Sequence, residues 1–445
     1  MKLIVFLIIC LIYVPIYARD HGKDKCRAVI TTDLGGADPD DRQSLIHLLV
    51  SSDLIDIEGI ISSQVWVTDA DKTEHILNLL DAYGEAYANL KRHAKGFPTP
   101  EFLKSVTMRG QSQAGMAGTG HGKDSPGSEL IVRLADRDDE RPLWILAWGG
   151  MNTLAQAIQK VEQSRTDEET AAFLKKLRVY DVLGQDDAGA WIAKNYPDIF
   201  YIRNRDVYGW QKDDEWIREN IQSVLPLGAF YPDRIWAFEG DSPSFLYLLA
   251  NGLNDPENVS YGGWGGRFDA MKHKNIPAMD WVSRNGMDET QYMDYYMFGS
   301  SAEGTESIRK WSDCIWNDFA ARMIWASTPD YKRANHAPVI NINGDSRSVP
   351  LRITGGGGDE IHLDASRTKD PDKNNISFLW EVYPEAGLNI PVGNITGDNK
   401  SDKCHIKIRD NTPPGELHLI LSVRDNGTPA LVSCRRIVIE IKDTP

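Results

Sequence analysis

The sequence has few cysteines, no surplus of basic charge and a single long apolar run. Its 445 residues include 5 cysteines, and none of them has the spacing of a zinc site. Lys and Arg number 49 against 64 Asp and Glu, a net charge of -15, which argues against nucleic acid and anionic membrane surfaces as partners. After residue 16 no segment is long and apolar enough to cross a membrane. The charge balance is compatible with neutral substrates such as sugars.

The beginning of the chain predicts a secretory signal peptide over residues 1–18. Lys2 precedes an apolar run from Leu3 to Ile16, and Ala18 ends the segment before the charged Arg19. The run is too short to span a membrane, and no stop-transfer pattern follows it. We therefore expect a mature chain that starts near Arg19 and a periplasmic or secreted location.

Up to about residue 334, strand-like and helix-like segments alternate. Apolar runs at residues 28–30, 55–62, 142–147, 177–184 and 198–203 are typical of buried strands. Strands that alternate with helices form βαβ units and a parallel sheet. Residues 19–334 are therefore predicted to form an α/β domain, with a mainly parallel sheet flanked by helices.

The pattern changes after residue 334 to short alternating strands separated by turns. Runs at residues 376–382, 417–423 and 435–441 alternate apolar and polar residues, and residues 425–429 supply a turn. This pattern predicts an immunoglobulin-like β-sandwich over residues 335–445, with Trp380 in its core. Cys404 and Cys434 fall in strand-like runs and could form a disulfide, whereas the state of the other cysteines stays open.

The most informative motif is a cluster of four carboxylates, Asp33, Asp38, Asp40 and Asp41. They lie between the first predicted strand and the first helix, where open α/β folds bind ligands. Carboxylates this close repel one another, so they need a cation, protons or solvent nearby. Hard oxygen ligands favour Ca²⁺ or Mg²⁺. The alternative is a solvated acidic turn that caps the helix.

This motif resembles the Asp-rich signature of the nucleoside hydrolases, and three later motifs follow in the same order. More closely, the chain resembles the bacterial cellulose-binding, nucleoside-hydrolase-like family, which pairs an α/β domain with an immunoglobulin-like C-terminal domain. The first resemblance rests on residues 32–41, 120–124, 148–152 and 317–323, and the second on residues 122–130, 185–191, 239–245 and 262–268.

The resemblance implies hydrolysis of a glycosidic bond, with one tightly bound Ca²⁺ and a Ca²⁺-bound water as the nucleophile. Carried over by position, Asp33 would bind the metal and take the proton from that water. Asp41, the carbonyl of Trp148 and Asp318 would complete the metal site. Asp40 would bind a sugar hydroxyl.

Two residues depart from the nucleoside hydrolase pattern. Thr31 stands where the signature has its first Asp, and Asn317 stands where several of these enzymes have a His near the leaving base. Because Asn cannot act as a general acid, Asn317 would serve in substrate binding, and a carbohydrate is a better substrate than a nucleoside. The competing hypothesis is a non-catalytic protein that binds a cellulose-like polysaccharide.

Further candidates each have a functional and a structural interpretation. His121 could protonate a leaving group or simply face solvent in a loop. Asp186 and Asp187, like Glu239 and Asp241, could bind substrate or cap a helix. Trp264, flanked by glycines, could stack on a sugar ring or pack its loop down.

Overall fold

The structure is a computed structural model that describes residues 25–63, 65, 71–388, 393–396 and 398–442, so the predicted signal peptide lies outside the described residues. The first six strands are β1 Arg27–Thr32, β2 Asp56–Ser62, β3 Thr107–Arg109, β4 Leu143–Ala147, β5 Leu177–Val182 and β6 Phe200–Asn204. They form one parallel sheet in the order β3-β2-β1-β4-β5-β6. The strand order reverses between β1 and β4, which is where such sheets open a ligand crevice at their carboxyl edge.

Helices cover both faces of this sheet, as the alternating pattern predicts. The helices are α1 Asp40–Val50, α2 Thr73–His93, α3 Pro100–Ser105, α4 Pro126–Ala135, α5 Asn152–Ser164, α6 Asp167–Lys175, α7 Ala188–Asn195, α8 Asp214–Ile217, α9 Ser242–Leu246, α10 Trp281–Arg284, α11 Glu306–Arg309 and α12 Ser312–Ser327. One face packs on α1, α2, α9 and α12, and the other on α4, α5, α6 and α7, so that two separate apolar cores form. Within the described residues, no helix is both long and apolar enough to cross a bilayer.

The segment between β6 and α11 is mostly irregular. Its regular elements are short, and its two strands, β7 His273–Lys274 and β8 Tyr296–Met297, pair antiparallel with each other. The helix that follows Asp241, α9, has only five residues and ends at Leu246. This segment forms much of the wall above the carboxyl edge of the sheet.

The C-terminal region is a two-sheet β structure, as predicted. Its strands are β9 Leu351–Gly356, β10 Glu360–Asp364, β11 Ser377–Val382, β12 Gly393–Thr396, β13 Lys403–Ile408, β14 Gly415–Arg424 and β15 Val432–Lys442. Four of them form one sheet (β11-β14-β15-β9) and three form the other (β10-β13-β12). The buried side chain of Trp380 packs in the shared core, as the sequence predicts.

The sandwich is joined to the α/β domain through a buried seam around Arg436 of β15. Its guanidinium donates to three backbone carbonyls of the first domain, those of Leu253 (3.0 Å), Tyr261 (2.9 Å) and Gly262 (2.9 Å). The Arg436 side chain is completely buried. Such a hydrogen-bonded buried cation fixes the two domains against each other.

Cys404 and Cys434, which the sequence allowed to pair, do not form a disulfide, because the cysteines in the described part of the chain are free thiols. Cys404 lies in the core of the sandwich, whereas Cys434 packs into the core of the α/β domain. The two side chains therefore belong to different cores. The Cys434 thiol contacts Cys314 of α12 instead.

Candidate metal and substrate cleft

The predicted acidic cluster forms at the carboxyl end of β1. Asp33 directly follows that strand, and Asp40 and Asp41 begin α1. The Thr32 hydroxyl donates to the Asp41 carboxylate and accepts from the Leu34 backbone N–H at 3.1 Å. These bonds hold the turn, so that all three carboxylates are buried beside one another.

A fifth carboxylate, Asp241, joins the cluster from the loop before α9. One carboxylate oxygen each of Asp40, Asp41 and Asp241 lies within 4.8 Å of the others. Oδ2 of Asp33 and Oδ2 of Asp241 are buried, and neither has a hydrogen-bond partner among the described residues. Buried carboxylate oxygens without a donor are costly unless a cation or a proton satisfies them.

The pKa values of the clustered carboxylates also indicate that they need a cation or a proton. Burial raises the pKa of Asp33 to about 7 and that of Asp38 to about 6. Burial, followed by repulsion from neighbouring carboxylates, raises the pKa values of Asp40, Asp41 and Asp241 well above the ordinary range. A hard divalent cation bound among these oxygens would relieve both effects. The residues present therefore fit Ca²⁺ or Mg²⁺.

The backbone of Trp148 lies beside this cluster. Trp148 follows β4, and its N–H donates to the Thr31 carbonyl at 2.7 Å. The next residue, Gly149, is so close that an added Cβ would lie 3.1 Å from the backbone nitrogen of Asp33. The Trp148 carbonyl accepts from the side-chain amide of Gln185, which also lines the cleft.

The structure does not bring Asn317 and Asp318 to the cluster. The Asp318 carboxylate accepts from Arg322 Nε at 2.6 Å, and Arg322 also donates to the Val50 carbonyl. Val50 ends α1, about 15 Å along the helix axis from the carboxylates at its beginning. The Asn317 amide donates to the Ala430 carbonyl of the sandwich at 3.0 Å. Asp241, rather than Asp318, is the carboxylate that lies within 4.8 Å of Asp40 and Asp41.

Glu239 lies behind the cluster rather than in it. Its carboxylate meets His47 Nδ1 at 2.6 Å and accepts from the hydroxyls of Tyr231 and Ser242, both at 2.9 Å. Its backbone N–H donates to the Gln43 side chain at 2.9 Å. Since every partner is buried, Glu239 ties the loop that carries Asp241 to α1.

The remaining candidates have structural roles in this arrangement. Asp186 accepts from the backbone N–H groups of Asn152 and Ala188, and Asp187 accepts from that of Met116. Trp264 is buried in the apolar core and offers no stacking face. His121 lies in an exposed loop and is not among the residues that line the cleft.

The cluster opens into a cleft of about 630 Å³, which is roomy enough for a sugar. Trp236, 66% exposed, stands at its rim, so a wide aromatic face is available to a ligand. Apart from the carboxylates and Ala37, the cleft is lined by Leu183, Gln185, Tyr208, Trp236, Met279, Trp281, Arg284 and Asn285. Trp236 and Trp281 are not among the site residues predicted from the sequence. The one feature that could have pointed to them is a Trp in a segment that has neither strand nor helix periodicity.

The cluster predicts a pH dependence for the metal-free protein. The pKa of Asp33 is about 7 in the folded state against 3.8 ordinarily, so the folded state binds this proton more tightly than the unfolded state. The contribution of Asp33 to the free energy of unfolding should therefore fall as the pH rises from about 4 to about 7. Urea titrations at pH 5 and pH 8 measure the change, and Asp33→Asn should reduce it. An equal change in the two proteins would contradict the assignment.

The strand order and the carboxylates at its reversal point define a nucleoside-hydrolase-like α/β protein. Residues 27–268 match a family described as cellulose-binding Sde182, nucleoside hydrolase-like domain, and residues 360–441 match the C-terminal domain of cellulose-binding protein Sde0182. The chain belongs to this family.

Comparison with solved structures gives the same result. The chain is similar to a nucleoside hydrolase-related hypothetical protein from Saccharophagus degradans that is associated with carbohydrate metabolism, at 43% identity and a TM-score of 0.90, covering 94% of this chain and 100% of that one. A PKD domain from the KIAA 1837 protein shares 18% identity (TM-score 0.17; 22% of this chain, 84% of that one), and mouse cadherin-23 EC22-24 shares 16% (0.19; 24% and 34%). No curated protein matches the chain.

Proposed function

We propose that the protein binds a carbohydrate in the acidic cleft and hydrolyses a glycosidic bond there with the help of Ca²⁺. The observation that carries the proposal is the set of buried, mutually repelling carboxylates that opens directly into a sugar-sized cleft with an exposed Trp at its rim. Two likenesses support the substrate class. The family is described as cellulose-binding, and the relative from Saccharophagus degradans is associated with carbohydrate metabolism.

In this proposal, Asp33, Asp41, Asp241 and the Trp148 carbonyl hold the cation. When bound, Ca²⁺ polarises a water molecule and offsets the charge of the carboxylates. Asp33, beside the cation, would accept the proton of the attacking water.

The sugar itself would be held by groups on both walls of the cleft. Asp40 accepts from the Tyr208 hydroxyl at 3.3 Å and is thereby oriented toward the cleft, where it accepts a hydrogen bond from a sugar hydroxyl. Trp236 and Trp281 also line the cleft and would offer aromatic faces to the ring. This arrangement suits a neutral, hydroxyl-rich ligand.

A second candidate function is carbohydrate binding without turnover, and the composition of the cleft favours it at one point. Among the described residues that line the cleft, there is no His to protonate a leaving group. The guanidinium of Arg284 does not give up its proton in proteins, and burial raises the pKa of Tyr208 further above its ordinary value. A leaving group that needs a proton would therefore depend on a carboxyl group such as Asp38, whose pKa burial raises to about 6. A substrate whose leaving group Asp38 does not reach would bind without being cleaved efficiently.

The metal assignment predicts a response in thermal stability. Added Ca²⁺ should raise the melting temperature of the wild-type protein, and a chelator should lower it, because a ligand that binds the native state stabilises it by about 2.7 kcal/mol at a hundredfold excess over Kd. Asp241→Asn should abolish most of the difference between the Ca²⁺ and chelator curves. Differential scanning calorimetry in both buffers measures it.

Asp318→Asn is the matched control for this experiment. This change also removes one carboxylate charge, but Asp318 of α12 lies near the end of α1 that is remote from the cluster. The rise in melting temperature caused by Ca²⁺ should therefore be kept, even if the melting temperature itself is lower than in the wild type. If Asp318→Asn loses the rise in melting temperature caused by Ca²⁺ and Asp241→Asn keeps it, then Asp318, and not Asp241, is the third carboxylate of the metal site. Identical melting curves in Ca²⁺ and chelator for the wild type would contradict the metal site altogether.

A further inference from the structure

A second group of metal-ligating side chains lies on the outer face of the three-stranded sheet of the sandwich. His362 of β10 stands directly opposite His405 of β13, and their Nδ1 atoms are 2.6 Å apart. Glu360 precedes His362 by two residues and therefore shares its face of the strand. One ligand atom from each of these three side chains lies within 4.8 Å of the other two.

The backbone under this trio is fixed by the core of the sandwich. Cys404, Ile406 and Ile408 lie on the core face of the strands around His405, and their side chains are buried in that core. The antiparallel register between β10 and β13 has no irregularity over five residue pairs. The two imidazoles are thus held opposite each other by the sheet rather than by a mobile loop.

The charged neighbours on β13 are engaged with other groups. Lys403 lies 3.6 Å from the Asp364 carboxylate, and Lys407 donates to the Gly358 carbonyl at 2.6 Å. Both ammonium groups therefore have partners other than the two imidazoles. Two imidazoles in contact cannot both carry a proton on the facing nitrogens, so this arrangement favours a shared proton or a shared cation.

We propose that Glu360, His362 and His405 form a binding site for a divalent transition-metal cation such as Zn²⁺. Imidazole nitrogens favour zinc, copper and nickel, whereas Ca²⁺ takes oxygen ligands, so this site and the acidic cleft select different ions. Two nitrogens and one carboxylate leave a fourth tetrahedral position open to water. With Zn–N bonds of about 2.0–2.1 Å, the two nitrogens would stand about 3.3 Å apart, a small rotation from their present positions.

A cation at this position would link β10 to β13. Glu360 and His362 are exposed, so the ion has direct access from solvent. Binding would stabilise the folded sandwich in proportion to the logarithm of the free metal concentration. It would do so without involving the cleft, so the zinc site and the proposed function can fail separately.

The test is isothermal titration of the full-length, metal-stripped protein with ZnCl₂. The titration is run in an Asp241→Asn background, so that zinc binding in the acidic cleft is weakened beforehand. We expect one equivalent of Zn²⁺, and a loss of at least about tenfold in affinity for that equivalent in His405→Ala. Glu360→Gln should weaken binding less, since both imidazoles remain.

His273→Ala is the matched control. His273 is also exposed and also contacts a carboxylate, that of Asp269, but it faces no second imidazole across a strand pair. Its removal should leave the zinc isotherm unchanged. If His405→Ala and His273→Ala both bind Zn²⁺ as the parent does, the site is wrong. The site is also wrong if the parent protein takes up no zinc. If His405→Ala without metal melts at a much lower temperature than the parent, His362→Ala is used in its place.

Discussion

A chain that ends at Arg333 is expected to be insoluble, or to melt far below the full-length protein. Removal of the sandwich takes away Arg436 and leaves the carbonyls of Leu253, Tyr261 and Gly262 without their donor. The truncation also uncovers the part of the α/β core that Cys434 and other sandwich side chains cover.

The measurement is the soluble fraction on expression, together with the melting temperature of any soluble product. In the full-length chain, Arg436→Met should lower the melting temperature by several degrees. The control Arg347→Met should have little effect, because Arg347 is exposed and pairs with Asp345 inside the sandwich. A soluble truncation with the stability of the intact protein would show instead that the sandwich is an accessory. Loss of polysaccharide affinity in that truncation would place binding in the sandwich.

The local patterns of the sequence predicted the α/β and β architecture of the molecule. They also predicted the part of the acidic cluster that is contiguous in sequence. An apolar run followed by Asp33, Asp40 and Asp41 specifies a strand, a turn and a helix start, and these neighbours in sequence stay neighbours in space. Asp241 was a candidate for substrate binding or helix capping, but its place in the acidic cluster could not be found in this way. It lies 200 residues beyond Asp41, and a carboxylate before a short helix also fits a cap. Asn317 and Asp318 were assigned to the site, although the structure places them away from the cluster. A polar pair within a helix has the same local sequence pattern in both cases, so the pattern could not tell them apart.

The sequence patterns predicted neither the buried seam around Arg436 nor the aromatic residues at the rim of the cleft, and the reasons differ. Arg435 and Arg436 are adjacent on a strand, so alternation predicts that one of them faces solvent. In the structure both are buried, because one face of β15 packs on the α/β domain and the other on the core of the sandwich. Trp236 stands in an irregular segment, where no periodicity tells whether an aromatic residue faces the core or a ligand.

Nitrophenyl glycosides are expected to be cleaved in a Ca²⁺-dependent reaction, and inosine very slowly or not at all. Expulsion of a purine base needs a proton from a positioned acid, a contribution of roughly 10²–10⁴-fold. Among the described residues, the cleft offers no His for this purpose, and His121 lies in an exposed loop. Nitrophenolate leaves without that help, so attack by an activated water is sufficient. A panel of nitrophenyl glycosides assayed beside inosine measures the difference.

Asp33→Ala should abolish the release of nitrophenol, because this change removes both a cation ligand and the group that accepts the proton of the attacking water. Asp81→Ala is the matched control, since Asp81 is an exposed carboxylate on α2 that pairs with Lys104. Fast cleavage of inosine would show that the cleft has an acid we have not identified. If no glycoside is cleaved while cellulose-like glycans still bind in a Ca²⁺-dependent manner, and Asp33→Ala loses that binding, then the cleft holds a sugar without breaking its bond. The non-catalytic candidate would then replace the hydrolase.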